Sequence, residues 1–167
     1  NLKISTDRTV RDHWIKQEFP GVVFITGETE SERFKNTLAA MAKGESAIAN
    51  ALLWNLPEST YGSVNLLVRS NDAPSAWGNY HYHIFQFKRA HDLKEHYALQ
   101  VCLLNRMLGC AQKYTPANTR VFLRDRTVDV CYADHCDRLA RELAYWRSIR
   151  DGKARPEAHK PPKAASA

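Results

Sequence analysis

The sequence predicts a single α+β domain in which helices pack on a mixed sheet. Its 167 residues, 44% of them hydrophobic, are enough for one core, whereas two separate cores would be small. Short β-rich runs alternate with longer stretches whose apolar residues recur at helical spacing. We therefore assign residues 1–149 to one globular domain and residues 150–167, rich in Pro, Ala and Lys, to a flexible basic tail.

The N-terminal part predicts one strand and one helix. Val22–Ile25 is a β-rich apolar run bounded by Pro-Gly and Thr-Gly pairs, which indicates a short buried strand. The spacing of Thr29 and Glu32 is that of a capping box, in which a hydroxyl and a carboxylate satisfy free backbone donors at a helix start. Apolar residues then recur at helical spacing until Gly44, where we expect the helix to end.

The central part predicts strands around a polar loop. An apolar stretch, Ala47–Trp54, leads through a turn into Val64–Val68, which is typical of a buried strand. Pro74 and Gly78 place the following residues in a loop, where polar side chains suit ligand binding. The aromatic segment Tyr80–Phe87 is compatible with a strand or a helix start, and its composition favours a strand.

The C-terminal part predicts two helices with two strands between them. The first helix runs from Asp92, a capping residue, to Leu108, and Gly109 ends it. Val121–Leu123 and Val128–Tyr132 read as short strands joined by a charged turn. Asp134 is expected to cap the last helix. The residues of this helix that we expect to face inward are Leu139, Leu143 and Trp146.

Composition indicates a soluble, cytoplasmic protein that does not enter a membrane. There is no apolar run of the length that spans a bilayer and no secretory-signal pattern, and the four cysteines lack a disulfide framework. The net charge of +6 is concentrated at the C-terminus. This region is interpreted as a solubilising tail, with a nucleic-acid-binding arm as the alternative. Its basic residues are Arg147, Arg150, Lys153, Arg155, Lys160 and Lys163.

Common catalytic signatures are absent, and two patterns resemble metal ligands. The sequence has no phosphate-binding loop, dinucleotide fingerprint, nucleophile elbow or H-E-x-x-H motif. His81 and His83 would share one face of a strand as a metal pair, although such histidines more often lie at the surface or in a satisfied core. Cys131, His135 and Cys136 lack a fourth ligand for a closed tetrahedral site. We therefore predict no metal site, and a metal-dependent enzyme built on these residues is the third possibility.

The most informative constellation surrounds the end of the strand Val64–Val68. An Arg and a Ser at a strand end can hold a phosphate, because guanidinium donates in parallel to two oxygens. A carboxylate and an amide on the adjoining loop can read the edge of a pyrimidine, and a tyrosine hydroxyl can bond a sugar. The alternative is an Arg-Asp ion pair that stabilises the loop. The five candidate residues are Arg69, Ser70, Asp72, Asn79 and Tyr132.

Two segments resemble thymidylate synthases, in particular the deoxycytidylate hydroxymethylase branch. One is Val64–Asp72 with Asn79 after it, and the other is Asp129–Leu139, in which Tyr132 takes the sugar-binding position. The resemblance implies a thymidylate-synthase-like mixed sheet and a pyrimidine nucleotide held by the five candidate residues. It also implies a homodimer and, if the protein is active, methyl or hydroxymethyl transfer from a tetrahydrofolate derivative.

The sequence departs from that family at its reactive centre, so we assign no catalytic residue. No cysteine precedes Cys102, and Ala49 stands near the position of the family's nucleophile. Val130 replaces the family's His in the H-x-Y triplet. Without a thiolate there is no covalent attack on the pyrimidine ring. The resemblance therefore implies a diverged, non-catalytic nucleotide-binding protein.

The alternative function is a basic accessory or structural subunit of a large nucleoprotein assembly, such as a ribosome or a virion. In this hypothesis arginines and the tail contact the phosphate backbone, while aromatic residues stack on bases. The arginines are Arg120, Arg124 and Arg126, and the aromatic residues are Tyr80, Tyr82 and Phe85.

Overall fold

The computed structural model describes residues 8–55 and 60–152 of the chain. The helices are α1 (Arg8–Glu18), α2 (Glu30–Lys43), α3 (Glu95–Gln112) and α4 (Cys136–Arg150), with a short 3₁₀ turn at Tyr132–Asp134. The strands are β1 (Val23–Phe24), β2 (Ala47–Asn55), β3 (Thr60–Ser70), β4 (His81–Phe87), β5 (Asn118–Phe122) and β6 (Thr127–Cys131). No helix in these ranges is both long and apolar enough to span a membrane.

The six strands form one mixed sheet in the order β1-β2-β3-β4-β5-β6. Helix α2 connects the parallel strands β1 and β2, and α3 connects the parallel strands β4 and β5. The pairs β2-β3, β3-β4 and β5-β6 are antiparallel. The predicted fold class, one α+β domain with helices packed on a mixed sheet, is confirmed.

The predicted signals of α2 are confirmed at both ends. The Thr29 hydroxyl accepts a hydrogen bond from the Glu32 amide, and the Glu32 carboxylate accepts one from the Glu28 amide. Gly44 ends the helix in the left-handed conformation, at φ 79°, and its amide donates to carbonyls of the last turn. Residues other than Gly and Asn rarely adopt this conformation, so Gly44 correctly predicted the end of the helix.

The predicted bounds of α3 were wrong. Asp92 does not cap it, because its carboxylate accepts a hydrogen bond from Arg126, and the helix begins three residues later at Glu95. Gly109 lies inside the helix, which continues to Gln112. A Cβ at position 109 would lie 2.0 Å from the Thr115 hydroxyl, so this glycine serves close packing instead of helix termination.

The prediction for α4 was correct in its core and wrong at its margins. Leu139 and Leu143 are buried, as expected. Asp134 belongs to the 3₁₀ turn, and α4 begins at Cys136. Trp146 is 53% exposed instead of inward-facing, because α4 packs mainly through its first two turns. The tail residues from 153 onward lie outside the described part.

The two faces of the sheet are covered differently. Helices α2, α3 and α4 pack on one face, the covered face, whose core includes Tyr82 and Ile84 of β4. On the opposite face α1 covers only one half, where its Trp14 and Ile15 meet an aromatic cluster. In a regular strand Ala49 and Ala51 would face the same side of the sheet. Asn50 between them has φ 55°, and this reverses the alternation, so Ala49 faces α1 and Ala51 faces α2 and α3.

Candidate functional site

The half of the sheet that α1 leaves uncovered carries two histidines with converging rings. His81 and His83 are alternate residues of β4, so both side chains point to this face, which we call the open face. Their Nε2 atoms lie 2.8 Å apart, and their ring centroids are separated by 4.6 Å. His81 is 1% exposed, whereas His83 is half-buried. The pair therefore presents two imidazole nitrogens at one point beside the surface.

The surroundings of His81 fix its tautomer. Its Nδ1 lies 2.9 Å from the carbonyl oxygen of Ala73, and a carbonyl can only accept. In its neutral form His81 therefore carries its proton on Nδ1 and has a lone pair on Nε2, directed at His83. A carbonyl that holds the far nitrogen of an imidazole is the usual support of a metal-ligating histidine. Tyr114 packs on the His81 ring at 4.3 Å between centroids and restricts its rotation.

The surroundings of His83 favour its neutral ring. Burial lowers the pKa of His83 below its ordinary value, and His81 lowers it further, while Asp72 opposes both effects. A neutral His83 can donate to His81 through its Nε2 proton, or it can carry its proton on Nδ1 and offer a second lone pair at Nε2. The second arrangement has two ligand lone pairs facing one point, as a shared cation requires.

A cavity of about 260 Å³ adjoins His83 on the open face. Arg120 and Asp129 line it from β5 and β6, where the Arg120 Nε lies 3.3 Å from a carboxylate oxygen of Asp129. The Arg120 guanidinium also lies over the Phe85 ring, 5.3 Å from its centroid. Both charged side chains are largely exposed. The cavity thus combines an ion pair, an aromatic surface and the imidazole of His83 within one open region.

The metal candidates occupy different parts of the fold. Among residues 8–55 and 60–152, no group of three or more His, Cys, Asp or Glu side chains is arranged to hold a metal ion. His81 and His83 are therefore two such side chains without a third beside them in these ranges. His135 instead lies 3.5 Å from the Glu95 carboxylate at the start of α3. The cysteines beside it, Cys131 and Cys136, are free thiols.

Arg69 and Ser70, which the sequence predicted to share a phosphate, point to opposite faces of β3. Ser70 pairs with His81 and lies on the open face, whereas Arg69 pairs with Tyr82 and lies on the covered face. The Arg69 guanidinium donates to the Gly44 carbonyl at 2.8 Å and covers the Tyr80 ring at 4.4 Å. Arg69 therefore joins the end of α2 to the sheet.

The other predicted nucleotide-binding residues are also separated. Asp72 follows β3 on the same rim as the histidines, and its amide donates to the Ser70 hydroxyl. Asn79 is exposed before β4. Tyr132 packs among residues of α3 and α4 beneath the covered face, where burial raises the pKa of its hydroxyl. The structure therefore brings Ser70 and Asp72 to the histidine pair, and it places Tyr132 in a different environment.

The aromatic residues expected to stack on nucleic acid bases differ in accessibility. Tyr80 and Tyr82 are buried, and their hydroxyls donate to the Met41 and Glu45 carbonyls. They cannot present a ring face to a base without leaving the core, so that expectation was wrong. Phe85 is half-buried on the open face beneath Arg120. Tyr80 also lies beneath a cation, Arg69, but Phe85 is the least buried of the three rings.

Two features of this site escaped the sequence interpretation. The sequence interpretation assigned Arg120 to phosphate binding in a basic subunit and did not place it beside the histidines. That position results from the parallel pairing of β4 with β5, which the sequence does not specify locally. The period-two spacing of His81 and His83 did indicate a shared face. The close approach of their rings depends on contacts of His81 with the Ala73 carbonyl and the Tyr114 ring. No local sequence pattern predicts these two contacts.

No known family model matches this chain, and no curated protein is significantly similar to it. The thymidylate synthase resemblance stays a prediction based on the residues quoted above.

Proposed function

We propose that the open face binds a divalent transition metal through His81 and His83 and, with Arg120, engages the phosphodiester backbone of a nucleic acid. The observation that carries this proposal is the 2.8 Å convergence of two imidazole nitrogens, one of them fixed as a lone pair by the Ala73 carbonyl. Imidazole is a preferred ligand of Zn²⁺, Cu²⁺, Fe²⁺ and Ni²⁺.

The neighbouring side chains favour a phosphate-bearing substrate. Two neutral imidazoles add no negative charge, so a bound cation keeps its charge for phosphate oxygens. Arg120 adds a fixed cation at the cavity that His83 also lines. Exposed side chains of β5 and β6, Arg120 and Asp129, line the cavity, so an extended strand can reach it from solvent. When bound, the metal would polarise a phosphodiester toward cleavage.

Metal binding to the isolated protein tests the first step of this proposal. Purified protein is titrated with Co²⁺, and the visible absorption spectrum and calorimetric affinity are measured. We expect one equivalent to bind, and His81→Ala or His83→Ala to weaken binding at least about tenfold, because each removes one of two ligands. His96→Ala, which removes an exposed histidine of α3, is the matched control. Unchanged affinity in both site variants would show that the pair is only an internal hydrogen bond.

Binding of a fluorescent single-stranded oligonucleotide, with and without Co²⁺, tests the second step. We expect the metal to strengthen binding in the wild type and to have no effect in the His81→Ala variant. A parallel gel assay measures strand cleavage. Metal-independent binding that is lost together with the tail would instead support the basic accessory-subunit hypothesis.

A pyrimidine nucleotide is the second candidate ligand, and the observation favouring it is that Ser70 and Asp72 lie beside the histidine pair. In this proposal the ligand is the nucleotide expected from the thymidylate synthase resemblance. Ser70 and the bound cation hold its phosphate. Arg69→Ala and Arg120→Ala distinguish the two sites. Loss of dCMP or dUMP binding in the Arg69 variant alone would support the arrangement expected from the sequence, and loss in the Arg120 variant alone would support the open face.

A further inference from the structure

We infer that Gln112 is a positioning residue for the histidine pair, an inference that rests on the proposed metal site. Gln112 ends α3 and is fully buried. Its Oε1 accepts from the Tyr82 amide at 2.8 Å, and its Nε2 donates to the Tyr82 carbonyl at 3.1 Å. The side-chain amide thus pairs with the backbone of the residue between the two histidines, as a neighbouring strand would.

This pairing occurs where β4 lacks a strand partner on that side. Strand β5 begins at Asn118, and its parallel register with β4 begins at Phe85 and Arg120. The backbone between His81 and His83 therefore extends beyond the paired part of β5. Strand β3 pairs with this segment on its other edge, but an unpaired backbone group on the β5 side of a buried strand is costly. Gln112 satisfies both backbone groups and fixes the twist that makes the two rings converge.

Gln112 also holds the two groups that orient His81. Its Nε2 donates to the carbonyl of Tyr114, the residue whose ring packs on His81. Its backbone carbonyl accepts from the Ala76 amide at 2.7 Å, within the loop that presents the Ala73 carbonyl to His81 Nδ1. One buried residue thus connects the strand that bears the histidines, the ring that packs on one of them and the loop that sets its tautomer.

The test compares Gln112→Met with Gln86→Met. Gln86 is the matched control because it is also a buried glutamine whose Oε1 accepts a backbone hydrogen bond, from the Asn65 amide at 2.6 Å, and it lies at the opposite end of β4. We expect both substitutions to lower the melting temperature, Gln112→Met by more, because it leaves three backbone groups without a partner whereas Gln86→Met leaves one. Only Gln112→Met should weaken Co²⁺ binding, by about tenfold or more, as removal of a supporting hydrogen bond does at metal sites.

A second readout does not need the metal. The His81 Nδ1 proton, held by the Ala73 carbonyl, is followed by NMR, and Gln112→Met should shift or broaden it while Gln86→Met leaves it unchanged. Gln112→Glu serves if the Met variant does not fold, because it keeps the acceptor for the Tyr82 amide and removes both donations. Its expected loss of Co²⁺ affinity is smaller but in the same direction.

The outcomes separate this inference from the proposed function. Wild-type Co²⁺ affinity together with an unchanged His81 proton in the Gln112 variants would overturn the positioning role. Equal loss in the Gln86 variant would also overturn it, since the effect would then be general destabilisation. A wild-type protein that binds no Co²⁺ would refute the proposed metal site, and the His81 proton signal alone would then decide whether Gln112 positions the pair.

Discussion

Strand β4 has one set of side chains on each face of the sheet, and the two sets have opposite surroundings. Tyr82 and Ile84 lie under α2 and α3, where they are fully buried. His81 and His83, which alternate with them, lie on the open face, where α1 does not reach. The comparison teaches that a single strand can anchor the core and present ligand atoms at once, because successive side chains point to opposite faces.

The difference extends to how polar groups are satisfied. On the covered face the Tyr82 hydroxyl donates to the Glu45 carbonyl, and burial raises its pKa well above the ordinary value. On the open face the Nε2 atoms of the histidines have each other as partners. A buried polar group with a fixed protein partner contributes to stability, whereas the half-buried His83 gives the adjoining cavity access to the pair.

Among the differences between the two faces, the largest should be the loss of unfolding free energy when a core side chain is truncated. Leu108→Ala removes a fully buried α3 side chain from the covered face, and we expect it to lower the free energy of unfolding by about 2–5 kcal/mol. Val68→Ala, at a half-buried position paired with His83, should cost less than about 1.5 kcal/mol. Urea denaturation monitored by Trp fluorescence measures both. Equal losses would contradict the unequal coverage of the two faces.

A smaller effect is expected at the close contact inside α3. Gly109→Ala places a Cβ 2.0 Å from the Thr115 hydroxyl and 3.2 Å from the Thr115 Cα, so the helix must shift. We expect a loss of about 1–3 kcal/mol in the same urea experiment. In an exposed helix interior this substitution would stabilise the protein. The double variant Gly109→Ala with Thr115→Gly should recover part of the loss, and failure to do so would place the strain elsewhere.

On the open face, Arg120→Ala should change nucleic acid binding more than stability. Its ion pair with Asp129 is exposed, so removing it should alter the free energy of unfolding by less than about 1 kcal/mol. If Arg120 contacts a phosphate, the slope of binding affinity against salt concentration should decrease by about one contact. Arg141→Ala, which removes an exposed arginine of α4 on the other side of the sheet, is the control. An unchanged slope in Arg120→Ala would remove this residue from the proposed interface.

The smallest effect concerns the cysteines of α3 and tests which thiols the covered face protects. Burial raises the pKa of Cys102 to about 12, whereas Cys110 is exposed. At pH 8 the Cys102 thiol stays protonated, so alkylation followed by mass spectrometry should label Cys110 and leave Cys102 unmodified. Because the raised pKa belongs to the folded state, the contribution of Cys102 to stability is complete below pH 9 and declines between pH 9 and 12. Rapid labelling of Cys102 in the folded protein would contradict its burial.

The elements that the sequence alone determined are those with local causes. Thr29, Glu32 and Gly44 fix both ends of α2 through bonds to residues no more than four positions away. Apolar runs of β-branched and aromatic residues determined β3 and β4 as strands, and the spacing of Leu139 and Leu143 determined the buried side of α4. Such patterns act over a few residues, so they can be read without the fold.

Tertiary structure alone decided which of these elements meet. Asp92 has the chemistry of a cap, yet Arg126 occupies its carboxylate, and Gly109 resembles a helix end but accommodates Thr115. Arg69 and Ser70 are adjacent in sequence but lie on opposite faces, and His83 gains Arg120 as a neighbour through strand pairing. Spacing in a strand fixes which side chains share a face, whereas the groups opposite that face come from chain segments far apart in sequence.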